Sequence, residues 1–372
     1  MRFEKNLRSA LYAVIGLLSA CAPNAQEKID VAQYWQKYEV TNGEELNGVD
    51  LNGVTANGLT LNGLTLNGLT LNGLTLNGTN ITGTPDGSSV AVSGTELVGA
   101  NMVGQLSDSS TINLRITAID NTSSSGLYLY NVAIVQNSNN TEVLSPLCGT
   151  SPISGLPIPA VPLSGTWSFS NGSYSSSSTL FTMACVHTAI GKCVLWGYHP
   201  WDSKTECQDE STCKSQSLAN WHQACTRMVR ADYCGNGSPH TVNGTAINVW
   251  DAFSPAIQAH ETVSGFTREA EWTQSGARCI ERTRWSAVGP THNSMTDYDY
   301  VQLVCPERLT YSGSSCSTTE DCETGFECAS GVCRNSDCLS DSGSDFFTSV
   351  GYDSPLSSRR VLRNEAEAND YY

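Results

Sequence analysis

Charge is scarce in this chain. Only 15% of its 372 residues are Asp, Glu, Lys or Arg, too few for a long solvated helical bundle or a coiled coil. Basic residues are scarcer still. Twenty Lys and Arg stand against 36 Asp and Glu, a formal net charge of −16. Neutralising phosphates takes clustered Lys and Arg, so nucleic acid is not an expected partner. Long apolar runs are also lacking. Residues 9–18 (SALYAVIGLL) are apolar, but this is well short of the ~20 residues that a membrane-spanning helix needs. Catalytic signatures are missing too. There is no HExxH, no GxSxG, no P-loop and no GxGxxG in context.

Gly, Ser, Thr, Asn and Cys are abundant instead, a mixture that suggests a β-rich, loop-rich exported protein of two or three domains. Fifteen cysteines imply disulfides in an oxidising compartment or metal sites. Arg2, Lys5 and Arg8 precede the short apolar run, the layout of a signal peptide over residues 1–20. Leu18-Ser19-Ala20-Cys21 follows at once and resembles the bacterial lipobox. That resemblance implies lipid attachment at Cys21, with the Cys as first mature residue. Two or three acyl chains anchor stably where one is marginal. Ala22 is not the Asp that commonly retains such proteins at the inner membrane. The expected location is therefore the bacterial outer membrane, facing the periplasm or the exterior.

After a linker over 21–45, Asn-Gly recurs at 47, 52, 57, 62, 67, 72 and 77, an unbroken period of five within residues 46–83. A short strict period marks units that stack on one another. Five fits neither a 3.6-residue helix nor two-residue strand alternation. The run resembles pentapeptide-repeat proteins, which implies a square right-handed β-helix. It departs from their pattern, with a bulky Leu59 or Leu64 two places before the candidate central Leu61 or Leu66. A small β-helix and a partly ordered stalk both stay open.

The next segment reads as an α+β body. TINLRITAI (111–119) and LYLYNVAIV (127–135) predict a hairpin. Strands are also expected at Leu163–Phe169, Thr179–Cys185, Thr241–Trp250, Phe266–Thr273 and Val301–Cys305. Two helices fit the apolar spacing. One spans 185–196, through Val186, Ala189, Ile190, Cys193 and Val194. The other spans 216–230, through Leu218, Trp221, Cys225, Met228 and Val229, with Gly235 as its expected terminator.

The second helix runs into Ala231-Asp232-Tyr233-Cys234. The stretches HQACTRMVRADYCGNG (222–237), HTVNGTAINVWD (240–251) and EAEWTQSGARC (269–279) together resemble the ADYC domain of bacterial lipoproteins, over roughly 85–310. Members of that family often carry LNG-type repeats ahead of the domain. The resemblance implies a fold family and a location, and brings no catalytic residue. On the residues themselves, Asp232 beside Arg227 and Arg230 reads either as a catalytic acid or as a structural carboxylate. His222, Asp232 and Glu271 would form an acid/base group if the fold gathered them. Trp196, Tyr198, Trp201 and Trp221 read as a sugar-stacking platform or as buried aromatics.

Setting Cys21 aside leaves fourteen cysteines, an even number. Nine precede residue 310 and five follow it, so full pairing needs a bond from body to tail, for which Cys305–Cys338 is the choice. Cys207 and Cys213 lie in one polar loop and are placed to close on each other. Cys225 and Cys234 are further disulfide candidates, and body pairing is otherwise open. The segment CSTTEDCETGFECASGVCR (316–334) is too small to bury a core without covalent help. It lacks CxxC and His, which disfavours zinc. It resembles small Dickkopf-like knots, and that resemblance implies pairs Cys316–Cys328 and Cys322–Cys333 in a knot over 311–338. The remainder, 339–372, is acidic and reads as a loosely ordered tail, although Phe346 to Val350, or the pair Val361 and Leu362, could dock on the body.

The expectation is an α+β protein: a β-rich, disulfide-bonded domain with two helices, a repeat stalk before it and a disulfide knot after it. The favoured role is a non-enzymatic envelope lipoprotein that binds, adheres or scaffolds. The alternative is an extracellular hydrolase of glycan or peptide using His222, Asp232 and Glu271. No cofactor or metal is expected. The partners expected are the membrane, through Cys21, and an extracellular protein or glycan ligand.

Overall fold

The computed structural model describes residues 57–60, 65–66, 69–105, 111–122, 126–168, 170–207, 213–241, 245–251, 253, 255–280, 283, 311–322, 326–329, 332–335 and 362–367. The expected signal peptide over 1–20, Cys21, the linker 21–45, the first repeats, the strand expected at 301–305, and the expected Cys305–Cys338 pair lie outside the described residues.

Thirteen strands come first: β1 (Asn57–Thr60), β2 (Thr65–Leu66), β3 (Leu69–Asn77), β4 (Asn80–Pro85), β5 (Val92–Ser93), β6 (Asn101–Gln105), β7 (Thr111–Asp120), β8 (Leu129–Ser138), β9 (Thr141–Pro146), β10 (Ala160–Ser164), β11 (Thr166–Trp167), β12 (Tyr174–Ser175) and β13 (Leu180–Cys185). Eleven of them form one sheet, in the order β1-β13-β10-β8-β7-β6-β2-β3-β4-β5, with β9 paired to β8. β11 and β12 make a separate ribbon. The alternation in β7 explains its place. Ile112, Leu114 and Ile116 point inward, and a bulge between Ile116 and Ala118 lets Ile119 face inward too. β7 and β8 pair antiparallel, the expected hairpin.

The repeat differs from both expectations. Residues 57–60, 65–66 and 69–77 are strands of the main sheet, paired antiparallel with β13, β6, β3 and β4. A β-helix would stack its units in parallel, and a stalk would not pair at all. The physical reason lies in the period. Five is odd, so an ordinary strand would swing successive leucines to opposite faces. In β3 the register shifts between Asn72 and Thr75, with Gly73 at φ 58. Only glycine takes that conformation freely. The bulge absorbs one residue; beyond Gly73, Leu74 and Leu76 are two apart, share a face and pack against the core. Ile81 joins the same core, its N–H donating to the Tyr130 hydroxyl at 3.1 Å. The N–H of Tyr128 donates to Thr79 Oγ1 at 2.6 Å.

Beyond β13 come α1 (Ala189–Leu195), β14 (Ser203–Cys207), β15 (Cys213–Ser217), α2 (Ala219–Val229), β16 (Ile247–Asp251), β17 (Phe266–Thr273) and β18 (Gly276–Ile280). Both helices are shorter than the apolar spacing suggested. The first four residues assigned to the first helix belong to β13 and the turn after it, where the Thr188 hydroxyl bonds the Cys185 carbonyl at 2.7 Å. All seven residues of α1 are buried. Ile190, Val194 and Leu195 lie in the core under the large sheet, whereas Ala189 and Cys193 lie in a second core with α2. α1 is thus the wall between two cores. Cys193–Cys225 joins α1 to α2, and Cys148–Cys185 ties down the end of β13 just before α1. β14 and β15 form a hairpin whose register sets Cys207 opposite Cys213.

Three further strands, β19 (Tyr311–Ser315), β20 (Phe326–Ala329) and β21 (Val332–Asn335), form a small sheet closed by Cys316–Cys328 and Cys322–Cys333. The last strand, β22 (Leu362–Glu367), corrects the reading of 339–372 as a loose tail. It lies inside a four-stranded sheet ordered β16-β22-β17-β18, antiparallel to both neighbours. Residues 362–366 are all buried. The composition of the segment hides this, because Arg363, Asn364 and Glu365 find polar partners inside. No helix among the described residues is long and apolar enough to cross a membrane.

Candidate functional site

The tetrapeptide Ala231–Cys234 closes the end of α2. The helix stops at Val229, not at a glycine. Ala231 adopts φ 51. Its N–H bonds the Met228 carbonyl at 3.0 Å, and the Asp232 N–H bonds the Arg227 carbonyl at 2.9 Å. This crossed pair is the Schellman closure. Gly235, the expected terminator, sits in the next turn at φ 67.

The closure turns Asp232 inward. Its carboxylate accepts from Arg227 Nη1 and, at 2.9 Å, from the Gly237 N–H. Both side chains of this ion pair are buried. Arg227 also donates to the Asn171 carbonyl at 2.6 Å, and to the Gln274 carbonyl and Ser173 hydroxyl at 3.3 Å. Arg230 Nη2 donates to the Gly237 carbonyl at 2.7 Å. The two arginines therefore clamp three loops around one carboxylate.

Tyr233 points the other way, into the second core. Its ring stacks on Trp272 with centroids 5.2 Å apart, and its hydroxyl donates to Glu269 Oε1 at 2.9 Å. Glu269 Oε2 accepts from Asn364 Nδ2 at 2.7 Å, while Asn364 Oδ1 accepts from Trp272 Nε1 at 2.8 Å. Arg363 Nε pairs with Glu271 Oε1 at 3.2 Å. The backbone makes this possible. Gly235 and Gly276 lie back to back, and a Cβ on Gly235 would fall 1.9 Å from the Ser275 carbonyl oxygen. Cys234 is disulfide-bonded.

The three acid/base candidates are not brought together. His222 meets the Ile190 carbonyl through Nε2 at 3.0 Å and lies edge-on to Trp167. Burial pushes its imidazole down to about 4. Seven helical steps, about 10 Å, separate it from Val229 at the end of α2. Asp232 is held by Arg227, and Glu271 by Arg363. All three are buried, and each faces a different partner. The aromatic platform also divides. Trp196, Tyr198 and Trp221 are buried, whereas Trp201 is 37% exposed, stacked on His199 at 4.9 Å. Trp221 packs on Phe253 at 4.4 Å and borders a shallow open recess with Asn220, Ala224, Trp272, Thr273 and Gln274. The sulfurs of Cys316, Cys322 and Cys333 lie close together. All three are bound in disulfides and offer no thiolate to a metal.

Two elements escaped the sequence reading. Asp251 accepts from the Tyr198 hydroxyl at 2.9 Å and from the N–H groups of Phe253, Ile257 and Gln258 at 2.7–3.2 Å. Burial raises its pKa, and those backbone donors oppose the rise. The HTVNGTAINVWD stretch ends on this residue, which was the available signal. Asn364 carried no local signal, because its partners are distant in sequence.

The architecture defines a β-rich, disulfide-bonded domain with two helices and two cores, built around a capped helix end. The ADYC domain family matches residues 94–286, more than half of the chain, and the chain belongs to that family. No curated protein and no solved structure matches it.

Proposed function

We propose that this is a lipid-anchored envelope protein whose ADYC domain is a rigid, non-enzymatic binding or scaffold module. One observation carries the non-enzymatic reading. The polar side chains of the namesake motif are buried and each already held by a partner, Asp232 by Arg227 and Gly237, Tyr233 by Glu269. A catalytic carboxylate must reach a substrate, and these are walled in. The Leu18-Ser19-Ala20-Cys21 sequence supports an acyl anchor, and the disulfides support an oxidising compartment. The outer membrane, with a periplasmic or outward face, is the location proposed. The cysteine-rich unit at 311–335 reads as an appended Dickkopf-like knot. An extracellular protein or glycan is the proposed ligand class, with the recess beside Trp221 as its candidate seat.

The test is the intact mass of the exported protein, with and without reduction and alkylation, from wild type and Cys21→Ala. A diacylglycerol mass lost in the variant, with no free thiol, supports the anchored scaffold. An unmodified chain with alkylatable cysteines overturns it.

A further inference from the structure

Asparagine followed by glycine is a reactive pair. The side-chain amide is thermolabile, and the next peptide nitrogen is held close to its carbonyl carbon, so attack is intramolecular. Glycine leaves that nitrogen unshielded because it has no Cβ. A fold suppresses the reaction where it ties up the glycine N–H and holds the backbone still. Asn-Gly steps stand at Asn72 and Asn77 in the repeat and at Asn171 and Asn236 in the body, and the fold treats them differently.

In the body both nitrogens are engaged. The Gly172 N–H donates to the Ser168 carbonyl at 2.7 Å, and the Gly237 N–H to Asp232 Oδ2 at 2.9 Å. Both glycines are also packed. A Cβ on Gly172 would lie 2.7 Å from Arg227 Nη1, and one on Gly237 would lie 2.6 Å from the Asn171 carbonyl carbon. In the repeat, Gly78 sits against Trp201, whose Nε1 would be 3.2 Å from its Cβ. Asn72-Gly73 is the exception. Both residues are exposed, and nothing lies within 4 Å of where a Gly73 Cβ would be. The register shift between Asn72 and Thr75 interrupts the ladder at this point.

We propose that Asn72 is a self-modifying site, which loses its side-chain amide to the backbone nitrogen of Gly73. The Gly73 nitrogen bonds Asn72 Cγ, the Cγ–Nδ2 bond breaks, and the Gly73 amide proton leaves with Nδ2 as ammonia. Water then opens the cyclic imide at either carbonyl, giving aspartate or isoaspartate. In the unmodified chain Asn72 Nδ2 donates to Asp86 Oδ1. The product sets a second carboxylate against Asp86, so β3 and β4 lose a clasp and gain a like-charge repulsion. This goes beyond the scaffold reading and does not depend on the acyl anchor.

The purified full-length protein is incubated in heavy-oxygen water, folded and in urea. Electron-transfer fragmentation then locates each converted residue and separates isoaspartate from aspartate. In the folded chain, Asn72 should take up heavy oxygen severalfold faster than Asn171 and Asn236, with isoaspartate among its products. In urea the three should convert at similar rates, because the fold no longer shelters two of them. Equal rates in the folded chain overturn the proposal. So does aspartate without isoaspartate, or a lead for Asn72 that persists in urea.

Discussion

Asn364 reaches Glu269 across 95 residues of sequence, its Nδ2 donating to Oε2 at 2.7 Å. Through that bond and its acceptance from Trp272, one side chain from the last strand closes the network that begins at Tyr233. Asn364→Leu should therefore remove one hydrogen bond from Glu269, which keeps the one from Tyr233, and the bond from the Trp272 indole. The expected loss is about 2–3 kcal/mol, at about 1–3 kcal/mol for a buried polar group that loses its partner. Urea unfolding followed by tryptophan fluorescence checks it. A change under about 1 kcal/mol would mean that the network does not bear on stability.

Asp232→Ala should cost about 3–5 kcal/mol, because it leaves the buried Arg227 guanidinium without its counter-charge. Asp232→Asn should cost less, since an amide oxygen still accepts from Gly237. The double variant Arg227→Met, Asp232→Leu should recover part of the loss, as removing both charges removes the burial penalty. Thermal denaturation of the three variants gives the order. A double variant no better than Asp232→Ala would sink this account.

Ala231 answers a different question: why alanine stands where helices usually place glycine. The left-handed conformation costs a non-glycine residue about 1–2 kcal/mol, and burying a methyl group returns about 0.8 kcal/mol. Ala231→Gly should thus change stability by less than about 1 kcal/mol. Ala231→Val should destabilise by several times that, because a β-branched residue is strained at φ 51 and the site is fully buried. Chemical denaturation of the pair distinguishes the two.

Acid should weaken the fold through His187 and His222. Burial holds both imidazoles down to about 4, helped in His187 by Lys192. The unfolded chain takes up these protons near pH 6.5, so below that pH it binds more protons than the folded chain does. Stability from this source is complete above pH 6.5 and is lost as pH falls through 4. The midpoint of urea unfolding, followed from pH 7.5 to 4.5, should fall mainly below 6.5. His222→Gln should flatten that slope if it folds, and a slope unaltered in both His222→Gln and His187→Gln contradicts the assignment.

Cys193–Cys225 closes a loop of 32 residues between α1 and α2. Replacing both cysteines with alanine should cost about 3–4 kcal/mol by the loop-entropy estimate, and both cores should loosen because α1 belongs to each. Hydrogen exchange in Ile190 and Val229 reports this. Loss of protection at Val229 alone would contradict the shared wall.

The sequence was most legible where the determinants are local. Ile112, Leu114 and Ile116 alternate as a half-buried strand must, and Trp221, Cys225, Met228 and Val229 mark the buried face of α2 as a period of 3.6 requires. Legibility failed where the decisive contact is remote. Asn364 and Arg363 look like polar tail residues until β16 and β17 enclose them. α1 looks amphipathic, yet Lys192 is buried with the rest, because the helix separates two cores. For Asp232 the residue types suited both a catalytic and a structural carboxylate. Only the position of Gly237, brought round by the turn, shows which partners it has.

The bulge at Gly73 bears on how this protein can change length. A tandem five-residue unit is gained or lost as a whole when repetitive coding sequence is copied unevenly. In an ordinary strand, one extra unit would turn everything beyond it inside out, and only even additions would survive. A unit that carries its own Asn-Gly kink cancels the odd residue it brings. β3, which lies between β2 and β4, can then change length by one unit without reversing the faces of the residues beyond the bulge, where Leu74 and Leu76 meet the core.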